Sequence, residues 1–284
     1  MVPFVIANQP EGAIPFLPLV SETPFRGQAV RLPLPAPILI KELAMPTVVG
    51  IDIPPTTILM TLGGSHAYGL ATDLSDKDYL GVFVVPLERF INQAYTTAGR
   101  KQETVRFEVA KGEPVDATFH DINKFVRLAL NGNPGILEIM WAPSVYSVPL
   151  GKKLRNKRQD FLHKASLCPF FGYYRAQKHR LEAGMSLHTT GGKWNPKFAT
   201  HMARLMIQAR HLAETGELVV DLHQTKEYSL VVDIRAGVLN QGAALAEIDR
   251  LERLASEAEK QSCLPDEPNL DSIYHDLFDC RMSF

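Results

Sequence analysis

Hydrophobic positions along this 284-residue chain change their spacing twice. From Met1 to about Met45 the apolar residues are broken up by proline, as in "LPLVSETPFRGQAVRLPLPAPILI". Proline removes a backbone donor and restricts the residue before it, so this stretch is expected to be extended and irregular, either draped over the body or serving as an assembly arm. From Thr56 short apolar runs are separated by turn residues. "TTILMTL" predicts a buried strand ended by Gly63 and Gly64, and "YLGVFVVP" a second strand stopped by Pro86. "ETVRFEVAKGEPVDATFHD" alternates on either side of Lys111-Gly112, as a hairpin does. Ile122, Phe125, Val126, Leu128, Ala129 and Leu130 then fall at helical spacing and stop at Asn131-Gly132.

Beyond Leu150 the spacing is helical for nearly the whole remainder. The best-marked helix is "NPKFATHMARLMIQARHLAETGEL", with Asn195 as N-cap, Pro196 in the first position and Gly216 after the end. Phe198, Met202, Leu205, Ala209 and Leu212 step by four and three and predict its buried stripe. The fold expected is α/β (α+β) in three parts: a proline-rich extension over 1–47, a small mixed-sheet domain over 48–149 and a helical domain over 150–284. No internal repeat is visible.

Composition narrows the class. With 45% hydrophobic residues the chain has enough to bury a core, and 30 Lys and Arg against 31 Asp and Glu leave a net charge of -1, with no global pull toward nucleic acid or anionic membrane. The charge is uneven, however. Lys152 to Arg180 holds nine Lys or Arg and one acid, Asp160, whereas from Gln241 onward ten acids face four bases. The basic segment reads either as a track for a polyanion or as helix faces paired with the acidic tail. Three cysteines without a CxxC pair suit a reducing compartment and are expected to be buried thiols. The first residues lack a basic n-region and are broken by prolines, so neither a signal peptide nor a membrane span is expected, and the reading is a soluble cytoplasmic protein.

The chemistry concentrates in "GGSHAYGLATDLSDKDYLGV", residues 63–82. A glycine turn after a strand presents backbone N–H groups that hold phosphate oxygens, and Gly63, Gly64 and Ser65 fit that use. Two such glycines also suit a plain turn. Asp76 and Asp78, two apart in an extended segment, point to one face, where their carboxylates repel unless a cation lies between them. Magnesium takes oxygen ligands of this kind together with substrate phosphates. A third carboxylate is expected on a neighbouring strand. Asp116, flanked by apolar residues in mid-strand, is the choice, while Asp73 reads as a loop residue and Asp121 as a helix N-cap.

This stretch resembles the GS-then-DxD signature of the DNA polymerase beta superfamily of nucleotidyltransferases, in particular its RNA-ligase-associated, polymerase-beta-like branch. The likeness continues through "VDATFHDINKFVRLALNGNPGILEIMWAP" and into "FFGYYRAQKHRL" and "KFATHMARLMIQARHLAETGEL", covering about Leu59 to Pro265. The resemblance implies that Gly64 and Ser65 bind the β,γ-phosphates of an NTP, that Asp76 and Asp78 bind two Mg2+ (or Mn2+) ions, and that Asp116 binds the catalytic ion and helps deprotonate the attacking hydroxyl. The reaction it implies is attack on the α-phosphate with loss of pyrophosphate. The competing DxD of aspartyl-phosphate phosphatases follows the end of a strand, whereas this pair precedes one.

A second stripe on the Asn195 helix, Lys197, His201, Arg204, Gln208 and His211, carries no carboxylate. Such a stripe points to an anion opposite, with Lys197, His201 and Arg204 closing over the NTP, or else to a helix surface paired with the acidic tail. "GMSLHTTGGKWNP" reads as a connector rather than a lid, and Tyr173 and Gln177 as packing residues rather than contacts to a base. The nine histidines show no zinc-ligand spacing. The expected function is transfer of an NMP from an NTP to an acceptor hydroxyl. An RNA end reached along Lys152 to Arg180 is the first choice of acceptor. A protein side chain or small molecule, a non-catalytic nucleotide sensor, and an assembly protein using the proline-rich arm for homo-oligomers are the alternatives.

Overall fold

The computed structural model describes residues 46–95, 103–110, 113–182 and 194–284. The expected assembly arm, the turn at Lys111-Gly112 and most of the connector before Trp194 lie outside them. Strands β1 (Thr47–Val48) and β2 (Ile51–Asp52) form a short antiparallel hairpin. The "TILMTL" run is β3 (Thr57–Leu62), buried along nearly its whole length as its continuous apolar sequence requires. A single helical turn, α1 (Gly64–Ala67), follows it, and then β4 (Lys77–Phe83) and α2 (Leu87–Tyr95). Strands β5 (Thr104–Ala110) and β6 (Glu113–Asp121) pair antiparallel, as the alternation around residues 111–112 predicts. Helices α3 (Ile122–Leu130) and α4 (Pro134–Trp141) precede β7 (Ser144–Ser147).

Five of these strands form one mixed sheet in the order β5-β6-β4-β3-β7. Only β4 and β6 run parallel. Period-two alternation divides the sheet's faces cleanly. Met60, Tyr79, Phe83, Val115, Ala117 and Phe119 pack on one face with Ile51 and Ile53. Leu59, Val82 and Val84 lie on the other and join the core built by the helices. Asp78, Asp116, Thr118 and His120 share that second face by the same alternation.

The helical half comprises α5 (Pro149–Asn156), α6 (Cys168–Glu182), α7 (Pro196–Thr215), α8 (Tyr228–Arg235), α9 (Gln241–Lys260) and α10 (Leu270–Met282). The described residues form one compact unit whose core runs from β3 to α10. The change at residue 150 is therefore a change of secondary structure within one packed body. Helix α7 starts and stops as predicted: Asn195 accepts from the Lys197 N–H at 2.9 Å, and Gly216 takes a left-handed conformation at φ 70°. Its burial differs from the expected single stripe. Ala199 to Ala209 is buried on almost every side apart from His201, because α7 is the central helix packed by α6, α8 and α9. The cysteine expectation also fails in part: Cys280 is buried, but Cys168 and Cys263 are exposed. Among the described residues no helix is long and apolar enough to cross a membrane.

Candidate active site

The turn after β3 is built against Asp78. The Gly63 N–H donates to the Asp78 carbonyl at 2.7 Å, tying the turn to β4. Gly64 has φ 57°, and a Cβ there would overlap the Asp78 carboxylate. Only glycine meets both conditions without strain. The chain then enters α1, where the Tyr68 N–H donates to the Gly64 carbonyl at 3.2 Å and Ser65 is part-exposed to the cleft in front.

The parallel register of β4 and β6 makes Asp78 and Asp116 direct cross-strand partners. Neighbouring strands lie about 4.8 Å apart, so two carboxylates on one face at one register level are close enough to repel. Asp78 shows the effect. Burial pushes its carboxyl above the ordinary range, Asp116 and Asp76 push it further, and Lys197 and His66 draw it partly back. Asp76 and Asp116 are exposed. The solvent-facing position of Asp116 departs from the sequence argument, which placed it among apolar neighbours: those neighbours, Val115 and Ala117, point to the opposite face. Asp121 has a separate task. Its buried carboxylate accepts from the Val85 N–H at 2.9 Å and the Asn123 N–H at 3.0 Å and pairs with Arg281 at 2.6 Å.

Among the described residues no group of three His, Cys, Asp or Glu side chains converges tightly enough to hold a metal ion by itself. The donor set is nevertheless hard oxygen throughout, with two carboxylates in register and a third beside them. That set fits an ion such as magnesium, which takes one or two carboxylates and completes its shell with phosphate oxygens and water.

Two openings meet at Gly64, Tyr68 and Asp78. The first, about 400 Å³, is lined by Ser65, Asp76, Lys197, His201, Arg204 and Arg235, among others. Lys197 is exposed on the first turn of α7, and neither it nor Arg235 pairs with a carboxylate among the described residues. Arg204 behaves differently from the expected phosphate contact. It is buried and paired with Glu138, donates to Gln208 at 3.0 Å, and lies 3.9 Å over the Tyr68 ring. Its charge is thus matched inside the protein, and Tyr68 adds a 2.8 Å bond to the same Glu138. Burial, followed by Arg204, holds His201 down to about 3, so the ring is neutral. Because a guanidinium can only donate, the 2.9 Å contact from Arg204 makes His201 Nδ1 an acceptor and leaves the proton on Nε2. Sequence reasoning passed over Arg235, Tyr68 and Glu138. None stands in a periodic or spaced motif with the aspartates, and tertiary packing alone brings them to the cleft.

The second opening, about 550 Å³, lies on the Asp116 side and includes Thr118, His120, Lys124 and Asn133. The basic segment expected to form an RNA track is elsewhere and largely paired. Lys153 bonds Asp276 and Asp279, Lys157 bonds Asp276, Arg158 bonds Glu217, Lys164 bonds Asp266 and Lys178 bonds Asp249. All but one of these acids belong to the acidic tail, as the pairing alternative expects for these five cations. Tyr173 is exposed and its hydroxyl accepts from Asn133 at 3.1 Å, while the Gln177 side-chain oxygen is buried without a partner among the described residues.

Sheet, turn and carboxylates together define a mixed α/β protein of the polymerase-beta-like nucleotidyltransferase class. The chain belongs to the RNA repair pathway DNA polymerase beta family, whose model matches residues 48–273. It is also similar to the crystal structure of a nucleotidyltransferase-like protein from Exiguobacterium sibiricum 255-15, at 13% identity over 81% of this chain and 75% of that one, with a TM-score of 0.28. No curated protein matches it.

Proposed function

We propose that this protein transfers an NMP from an NTP to the hydroxyl of an acceptor, and that the acceptor is an RNA end. One observation carries the reading: Asp78 and Asp116 stand in register between two openings, with the Gly63–Ser65 turn packed directly on Asp78. The opening lined by Gly64, Ser65, Lys197 and Arg235 suits a triphosphate, since a hydroxyl and two cations without carboxylate partners among the described residues line it. The opening beside Asp116 suits the attacking alcohol. The family's own description, an RNA repair pathway, supports RNA as the acceptor class.

In this scheme the acceptor oxygen attacks the α-phosphorus, a new P–O bond forms, and the bond to the β-phosphate oxygen breaks to release pyrophosphate. Asp116 takes the hydroxyl proton. Lys197 and Arg235 hold the departing phosphates, and His201 offers a neutral N–H donor at the same wall. A magnesium or manganese ion bound by Asp76, Asp78 and Asp116 would supply charge neutralisation at the α-phosphate. Arg204 acts at one remove, by fixing His201 and Tyr68.

The test is incubation with each α-labelled NTP, Mg2+ or Mn2+ and a pool of cellular RNA, beside the Asp76→Ala/Asp78→Ala variant. The reading predicts label on RNA with the intact chain alone. Label on protein in place of RNA would replace the acceptor, and NTP binding without any transfer would favour a nucleotide sensor.

A further inference from the structure

The second opening holds a set of side chains that the transfer chemistry alone does not use. Cross-strand partners share a face, so Thr104 opposite His120 and Arg106 opposite Thr118 lie on the same face as Asp116. From Asp116 the row Thr118, His120 continues along β6 for four residues, roughly 13 Å at the usual strand rise. Lys124, from the first turn of α3, reaches back over this row and donates to the Thr104 hydroxyl at 2.6 Å. The Thr104 hydroxyl, which accepts from the ammonium, also lies 3.2 Å from His120 Nδ1 and links the two side chains. Burial, and then Lys124 and Arg106, hold His120 down to about 4, so it remains a neutral donor.

The two cations matter most. Neither Arg106 nor Lys124 pairs with a carboxylate among the described residues, although Arg127 nearby pairs with Glu103. Most cations of the Lys152 to Arg180 segment have acidic partners, as do the buried Arg204 and Arg281 and the part-buried Arg210. Lys124 and the neutral His120 line the open groove, and Arg106 lies just beyond them on the same face of the next strand, opposite Thr118, so together they form a surface complementary to spaced anions. Among the described strands β5 is at the edge of the sheet, so a chain longer than the opening can leave over Arg106.

We propose that the opening beside Asp116 is the RNA-binding groove, in which Lys124, and Arg106 on the adjoining strand, hold backbone phosphates of a strand whose terminal hydroxyl lies at Asp116. The proposal rests on the nucleotidyltransferase reading and adds to it the path of the acceptor, away from the Lys152 to Arg180 segment. The nucleotide's own phosphates are a poor match for these cations, because Ser65, Lys197 and Arg235 line the other opening and Gly64 sits where the two meet.

The experiment uses the full chain and a 12-nucleotide single-stranded RNA with a free 3′ hydroxyl and a 5′ fluorophore, titrated by anisotropy over a series of salt concentrations. Arg106→Gln/Lys124→Gln is compared with Lys152→Gln/Arg175→Gln/Arg180→Gln, and NTP binding is measured on the same preparations. Glutamine at 124 keeps a donor for Thr104, and melting curves confirm that both variants are folded. The groove predicts RNA affinity reduced at least tenfold in the double variant, a salt slope shallower by about 1.4, twice the single-strand value per phosphate, and unchanged NTP binding. It predicts near-native RNA binding in the triple variant. Unchanged RNA affinity in the double variant, loss confined to the triple variant, or a wild-type chain that binds NTP but not the RNA would each overturn the assignment. A wild-type chain that binds no NTP is a different failure: it sinks the nucleotidyltransferase reading, and the acceptor path with it.

Discussion

The α-carbon of Gly64 lies against the carboxylate of Asp78, so closely that no side chain fits between them. The phosphate-side turn and the central carboxylate are therefore one packed unit. Gly64→Ala is expected to cost roughly 1–2 kcal/mol for the left-handed backbone alone. It is also expected to push the Asp78 side chain off its position. Pyrophosphate release should fall by about a hundredfold or more, the scale on which small misplacements act. Ala at the neighbouring Gly63, where an added Cβ meets only ordinary contacts, should be milder.

Asp78 is a site where function opposes stability. Its carboxyl is held above the ordinary range, so ionising it disfavours the folded state. For a group raised on folding, the stabilising contribution is present at low pH and is lost as pH rises through the folded pKa. Asp78→Asn should therefore abolish turnover yet raise Tm at neutral pH. Its advantage should shrink as the pH falls toward the ordinary aspartate value of 3.8, where the native carboxyl is protonated too. Thermal melts of both chains across that range, in chelator, check the sign.

Asp116 and Asp121 separate cleanly in role. Asp116→Asn should remove turnover with little change in stability, since the side chain is exposed. Asp121→Ala leaves Arg281 buried and unpaired and uncaps α3, a loss on the order of 3–5 kcal/mol. Denaturant unfolding and single-time-point turnover of the two variants distinguish them.

What the sequence revealed was local. Strand and helix periods located β3, β5, β6, α3 and α7, and caps fixed the ends of α7, because those signals are written in adjacent residues. The placement of Asp78 opposite Asp116 needed the parallel β4–β6 register, which no local pattern encodes. The cationic stripe on α7 was legible as a stripe but not as half-buried. Whether Arg204 faces solvent or Glu138 depends on α4 packing across it. The acidic partners of five cations in the Lys152 to Arg180 run were not legible for the same reason, since they lie in α9, in α10, between these two helices, and at Glu217 after α7.

Glu138 is the sole carboxylate found for the buried Arg204 among the described residues. Glu138→Ala is expected to cost roughly 3–5 kcal/mol, the cost of an unpaired buried charge. Replacing both residues, as in Glu138→Leu/Arg204→Met, should restore much of that stability while leaving His201 without its fixed tautomer. NTP affinity measured on the double variant then reports the positioning role apart from folding.

The central claim is that the bond broken lies between the α- and β-phosphates. The most direct measurement follows one NTP labelled in turn at the α- and γ-positions, with Mg2+ and a 3′-hydroxyl RNA. Nucleotidyl transfer predicts α-label on the RNA and γ-label leaving as pyrophosphate, both lost with Asp116→Asn. Recovery of γ-label on the RNA, or its release as inorganic phosphate with no α-label transferred, would contradict it.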